Sequence, residues 1–136
     1  ATLEAGLTPV VCVGETRAER DKGQTREVID KQTRMAFSLI PAGGKEKYNV
    51  ILTYEPVWAI STSQNGEVAT PSVAQDMINY MQGIVRGLPV IPAFIYGGSV
   101  NEKNLKSFLE CPEIHGALVG GASLKPSEFK AMISLI

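Results

Sequence analysis

Four short apolar runs mark the chain: Val10-Val11-Cys12-Val13, Val50-Ile51-Leu52-Thr53, Ala93-Phe94-Ile95-Tyr96 and Gly116-Ala117-Leu118-Val119. Each is continuous rather than alternating, and β-branched residues are frequent in them. Strands covered on both faces of a parallel sheet read this way. Helical patterns lie between the runs. From Val28, the positions Met35, Ala36, Leu39 and Ile40 keep a helical spacing that predicts those residues on the inner face. From Val73, the positions Ala74, Met77, Ile78, Met81, Ile84 and Val85 keep one face apolar over about four turns.

Start and stop signals fit these elements. Thr70 is a capping residue, and Pro71 stands at a first helical position, where its missing N–H costs nothing. Gly87 after Arg86 is a stop, and Pro41 with Gly43-Gly44 closes the earlier helix. Pro126 and Ser127 open a last helix running through Ile136, and Ala1–Gly6 read as the tail of another. The order is a helix tail followed by four βα units. Such alternation predicts an α/β fold with right-handed crossovers and a parallel sheet.

A length of 136 residues without a linker or low-complexity stretch makes 1–136 a single domain. Charge narrows the partners. With 13 basic and 14 acidic residues, the net charge of −1 lacks the basic excess that nucleic acid or an anionic membrane surface requires. No apolar run approaches the roughly 18 residues of a membrane-crossing helix. No basic stretch followed by an apolar segment opens the chain, so a cytoplasmic protein is expected. Cys12 and Cys111 are far apart and lack metal-type spacing, which points to free thiols and to no metal.

Chemistry concentrates after the strands, where parallel α/β folds build their sites. Gly14-Glu15 follows the first run, Tyr54-Glu55-Pro56-Val57-Trp58-Ala59-Ile60-Ser61-Thr62 the second, Gly97-Gly98-Ser99 the third and Gly120-Gly121-Ala122-Ser123 the fourth. Glu55 leaves an apolar strand and precedes a proline that fixes the backbone, which suits a general base. A solvated loop glutamate would read the same way. The two glycine pairs let the backbone approach an anion near helix starts, although glycine pairs also make ordinary turns. The stretch Pro56–Thr70 exceeds the roughly 2–6 residues usual for a βα connection. Its apolar start and its compliant end at Ser61-Thr62-Ser63 and Asn65-Gly66 suit a lid better than a disordered insertion.

Taken together, these residues resemble the triosephosphate isomerase family. Tyr54–Ile60 is similar to its catalytic-glutamate and lid motif. Ile95-Tyr96-Gly97-Gly98-Ser99-Val100 and Leu118-Val119-Gly120-Gly121-Ala122-Ser123-Leu124-Lys125 are similar to its two phosphate-gripping loops, and Cys12-Val13-Gly14-Glu15 to the end of its fifth strand. The resemblance runs along essentially the whole chain. It implies a TIM-barrel fold, of which the chain supplies the fifth to eighth units, a (β/α)4 half. It implies Glu55 as the base that moves a proton between two carbons of a triose phosphate. Backbone N–H groups of Ser61, Ser99, Gly120 and Gly121 are implied for the phosphate. Pro56, Val57, Trp58, Ala59, Ile60 and Thr62 are implied as lid, Tyr96 and Ser99 as its latch, and Trp58 with Glu15 as its first hinge. No cofactor is implied.

The departures bear on activity. The family's barrel has eight strands in about 250 residues. Its site lysine and asparagine, and its electrophilic histidine, belong to a first half without counterpart here. The single histidine, His115, precedes the fourth run and so falls at the wrong end of the barrel, roughly 15 Å along the strand from Gly120. Lys125 is a weak substitute for the lysine. Ser61 and Ser63 stand where the family's lid has glycines, and Ala93 and His115 stand where it usually has an Arg–Asp pair. The expectation is a feeble or inactive isomerase. The alternatives are a non-catalytic phosphate-binding half-barrel and a structural fragment of a longer isomerase. Unpaired outer strands call for a homo-oligomer, most simply a C2 dimer that completes the barrel, or for a complementing N-terminal half chain.

Overall fold

A computed structural model describes residues 1–40, 47–60 and 67–136. The elements are β1 (Val10–Val13), α1 (Arg17–Asp21), α2 (Thr25–Phe37), β2 (Tyr48–Tyr54), a 3₁₀ turn at Val57–Ala59, α3 (Pro71–Val85), β3 (Val90–Tyr96), α4 (Leu105–Leu109), a second 3₁₀ turn at Gly121–Leu124 and α5 (Pro126–Ile133). The strands form one parallel sheet in chain order, β1-β2-β3. Val10, Ile51 and Ala93 share one row, and Cys12, Thr53 and Ile95 the next but one. The ladder continues past the strand ends. Glu55 N–H donates to the Val13 carbonyl at 2.8 Å and Gly97 N–H to that of Tyr54 at 2.8 Å. That continuation aligns Gly14, Glu55 and Gly97 at one end of the sheet.

The fourth run does not form a strand. Gly116–Val119 makes one parallel bridge, Tyr96 to Ala117. His115 N–H donates to Phe94, Tyr96 N–H to Gly116 and Leu118 N–H to Tyr96. The run has a neighbour on one side only and opens on a glycine, which weakens a strand. The sheet is therefore three strands with a fourth segment lying alongside.

One face of the sheet is fully covered, and the other is open towards its edges while Thr53 at its centre is buried. Val13, Val50, Leu52, Tyr54, Phe94 and Tyr96 are buried, and α2 and α3 pack on this side. On the other face Val10 is 50% exposed, Ile91 53% exposed, and Cys12 is open to solvent. The continuous runs predict cover on both faces; the described chain supplies one layer. Parallel sheets are rarely left so.

Helix α3 follows its pattern. Thr70 Oγ1 accepts from Val73 N–H at 3.3 Å, Pro71 opens the helix, and Ala74, Met77, Ile78, Met81 and Val85 are buried. Beyond the end, Gly87 takes a left-handed φ of 88°. Helix α2 is rotated from its expected face. Ile29, Thr33 and Phe37 are buried, while Met35 is 66% and Leu39 93% exposed. The buried face contains a threonine, which the apolar pattern passes over. Met35 and Ala36 instead line a groove with Val11, Cys12 and Val57 beside the unpaired edge of β1. Residues 1–6 make turns rather than a helix tail, closed by Gly6 at φ 72°. Six residues are too few to hold a helix unaided. The last helix ends at Ile133, short of Ile136. The expected stop at Pro41 and Gly43-Gly44 lies outside the described residues. No helix among the described residues is long and apolar enough to cross a membrane.

Ile29→Ala should cost about 2–5 kcal/mol of stability, as for a fully buried aliphatic side chain, and Met35→Ala about 0.5 kcal/mol or less. Urea unfolding of the two variants measures the difference. Equal losses would contradict the burial of Ile29 against the exposure of Met35.

Candidate active site

Strand ends and turns enclose a cavity of about 520 Å³, lined among others by Glu55, Ile60, Ser99, Gly120, Gly121 and Lys125. The position of Glu55 depends on two glycines. A Cβ on Gly14 would lie 1.9 Å from the Glu55 carbonyl oxygen, and one on Gly97 would lie 2.6 Å from Thr53 Cγ2 and 3.1 Å from Glu55 Cβ. Both are far inside contact distance. Gly97 thus serves the close passage of β2 and Glu55, where the sequence suggests an approach to ligand. At Gly120 nothing stands within 4 Å of such a Cβ, so that backbone is open. Pro56 holds the chain extended after Glu55, with φ −61° and ψ 117°.

The Ser99 amide has a partner within the chain. Its backbone N–H already donates to the Ala59 carbonyl at 2.8 Å. The 3₁₀ turn at Val57–Ala59 ends there, so the Ala59 carbonyl has no helical partner and takes the nearest donor. Ser61 and Thr62, expected at the phosphate and in the lid, lie outside the described residues.

Glu15, just beyond the end of β1, is fully buried. Trp58 Nε1–H donates to it at 2.8 Å, the Tyr54 hydroxyl lies 3.2 Å from each carboxylate oxygen, and Arg20 Nη1 is 3.3 Å away. The Arg20 guanidinium also lies 4.3 Å above the Trp58 ring. The sequence suggests Trp58 beside Glu15 but passes over Tyr54 and Arg20. Nothing local in the sequence marks either as a Glu15 partner, and only their convergence on a buried carboxylate reveals them. Burial, and then the Glu15 charge, hold the Tyr54 phenol well above the usual range. Tyr96 is pushed up to about 12 by burial. Its hydroxyl lies beside the Ala69 backbone without a hydrogen bond of full geometry. Val57 is exposed, and Trp58 and Ala59 are buried.

Cys12 stands next to Glu55. Burial, and then the neighbouring carboxylate, push its thiol above the usual range. Lys125 on the cavity rim is paired with Glu128 at 2.9 Å. The described lining contains no histidine, and its lysines are Lys103 and Lys125. His115 serves the backbone instead: its Nδ1 accepts from Phe94 N–H at 2.9 Å. Among the described residues no three His, Cys, Asp or Glu side chains gather as a metal site. The arrangement can present a carboxylate base and open backbone to a small anionic ligand. Among the described residues, no histidine stands opposite Glu55, and Lys125 is already paired.

Comparison with known proteins points to one family. A family model described as triosephosphate isomerase matches residues 1–136. The triosephosphate isomerase of Chromohalobacter salexigens is 43% identical over 136 residues, covering 97% of this chain and 53% of that protein. That of Legionella pneumophila is 43% identical, with 96% and 52% covered. That of Bordetella pertussis is 45% identical over 130 residues, with 95% and 50% covered. The chain spans about half the length of the curated relatives it matches.

Tyr54 and Tyr96 should titrate later than a free tyrosine, which ionises near pH 10. The folded chain keeps protons that the unfolded chain releases. Stability should therefore fall as pH rises above about 10, and for Tyr96 continue to fall to about 12. Phenolate absorbance of the wild type against Tyr54→Phe and Tyr96→Phe, with unfolding followed at each pH, measures this. Ionisation of both at the free-tyrosine pH would contradict the burial described.

Proposed function

The chain belongs to the triosephosphate isomerase family, and from that premise we propose that it carries the base and the phosphate seat of an aldose–ketose isomerase site. Glu55 takes a proton from the carbon next to the carbonyl of a three-carbon sugar phosphate, giving an enediolate. It returns the proton to the adjacent carbon while the hydroxyl proton passes from one enediolate oxygen to the other through solvent, interconverting dihydroxyacetone phosphate and glyceraldehyde 3-phosphate. The observation that carries this reading is that Glu55, Ser99 and Gly120-Gly121 open onto one cavity. The phosphate meets the open backbone at Gly120 and Gly121, while Ser99 exchanges the Ala59 carbonyl for a phosphate oxygen. Ser61 adds its amide and Thr62 lid contact. Trp58, held by Glu15, fixes the start of the lid, and Tyr96 with Ser99 latches it.

The enediolate oxygen needs a positioned donor, and each one lost costs on the order of 10²–10³ in kcat. Lys125 is tied to Glu128 and His115 to Phe94. The chain alone is accordingly a feeble isomerase. A second reading, phosphate binding without turnover, is favoured by the lack of a histidine in the described lining.

A second copy of the chain covers the bare sheet face and the unpaired β1 edge. Light scattering at micromolar concentration should give a mass above one chain, and a monodisperse monomer would count against the pairing.

Solvent deuterium exchange into dihydroxyacetone phosphate tests the base. The wild type should exchange slowly, Glu55→Asp about 100-fold more slowly still, and Glu55→Ala not at all. Exchange unchanged in Glu55→Ala would remove Glu55 from the role. Binding of glycerol 3-phosphate without exchange in the wild type would select the second reading.

A further inference from the structure

Helix α1 is little more than one turn long, yet it touches both stems of the connection from β2 to α3. At the near stem, residues 56–60, Arg20 covers the Trp58 ring and pairs with Glu15. At the far stem, residues 67–70, Arg17 Nη1 forms an ion pair with Glu67. The other side of the same guanidinium is held within the helix, where Arg17 Nε donates to Asp21 at 2.8 Å. Asp21 therefore orients the fork that Glu67 meets, and a planar guanidinium suits such two-sided binding.

The helix is a firm platform for its size. Thr16 and Glu19 form a capping box at its start. Gly23 at φ 72° and the bond from Gln24 N–H to the Glu19 carbonyl, 2.9 Å, close its end. Arg17 and Arg20 are three residues apart and so neighbours on the helix surface.

Both stems lead to the same loop. From the near stem, the Ala59 carbonyl accepts from Ser99 N–H at 2.8 Å. From the far stem, Glu67 is two residues from Ala69, which is buried with its backbone beside the Tyr96 hydroxyl. That hydroxyl packs against Gly98, where a Cβ would lie 2.0 Å from it. The route from Arg17 through Glu67, Ala69 and Tyr96 thus ends at the residue before Ser99.

We propose that Arg17 is a positioning residue: through Glu67 it ties the far stem to α1, so that one helical turn sets both stems against the Gly97–Ser99 loop. The tie stands independently of any ligand. Its consequence for anion affinity rests on the phosphate-binding reading above.

Amide hydrogen exchange at Val68 and Ala69 in the unliganded chain reads the tie. Arg17→Gln and Glu67→Gln should each speed exchange by about two- to fivefold, the scale of one exposed ion pair. The double variant should be no faster than either single one. Trp58, the only tryptophan, should keep its emission in all three variants, because Arg20 is untouched. Glycerol 3-phosphate affinity should fall by a similar factor. Additive or absent exchange effects would overturn the tie. A shifted Trp58 emission would mean that α1 itself had unravelled and would likewise overturn it. Coupled exchange with unchanged affinity, in a chain that binds glycerol 3-phosphate, would overturn the positioning role. Coupled exchange in a chain that binds no phosphate ester at all would uphold the tie and remove the phosphate-binding reading instead.

Discussion

A carboxylate taken out of water must be fully partnered, and Glu15 is the point where this chain meets that demand. Burying an unpaired charge costs several kcal/mol, so the group enforces its surroundings rather than merely joining them. Its partners come from four places: Tyr54 at the end of β2, Trp58 in the turn beyond Glu55, Arg20 on α1, and Thr25 at the start of α2, whose hydroxyl donates at 3.5 Å. Satisfying Glu15 therefore fixes the residues on both sides of Glu55. It also fixes Ala59, next to Trp58, and through the Ala59 carbonyl the Ser99 amide. The Glu55 backbone and one side of the candidate phosphate seat are held by a single buried charge that touches neither.

Legibility in the sequence follows the physics of each element. Helix α3 is readable because cap, proline, apolar stripe and terminal glycine agree, and consistency across levels is what makes a segment predictable. Helix α2 misleads because its inward face includes Thr33, while Met35 and Ala36 face a groove at an open sheet edge. The fourth run has strand composition, but a strand needs neighbours, and composition does not report how many are present. In the site, Glu55 stands out by type and place. The commitment of the Ser99 amide to Ala59 is a tertiary hydrogen bond with no local signature. Gly97 shows a related limit: the sequence shows that close approach is allowed there, but not that Glu55 and Thr53 are what approach.

The glycines at Gly14 and Gly97 separate two kinds of requirement. Their contacts are steric and local, so the three-stranded sheet suffices to place the Glu55 backbone. Polarising a carbonyl is an electrostatic requirement that needs a donor on the far side of the ligand. The resemblance assigns that donor to strands this chain does not contain. The described sheet can thus keep the place of Glu55 with no such donor across the cavity among the described residues.

Cover over the concave face links fold to chemistry. Cys12 and Thr53 share that face with Val10 and Ile51, and Cys12 stands beside Glu55. With the face open, solvent reaches the groove where Cys12 and Glu55 meet. Water there screens the charge interactions on which an enediolate depends, because Coulomb energies scale inversely with the local dielectric. Whatever closes the face, a second copy or further strands, removes exposed apolar surface at Val10 and Ile91 and dries the site in the same step. On the proposed reading of Glu55 as a base, stability and proton transfer depend on one surface, and a change that improves closure should raise both, even if it introduces no new group near Glu55.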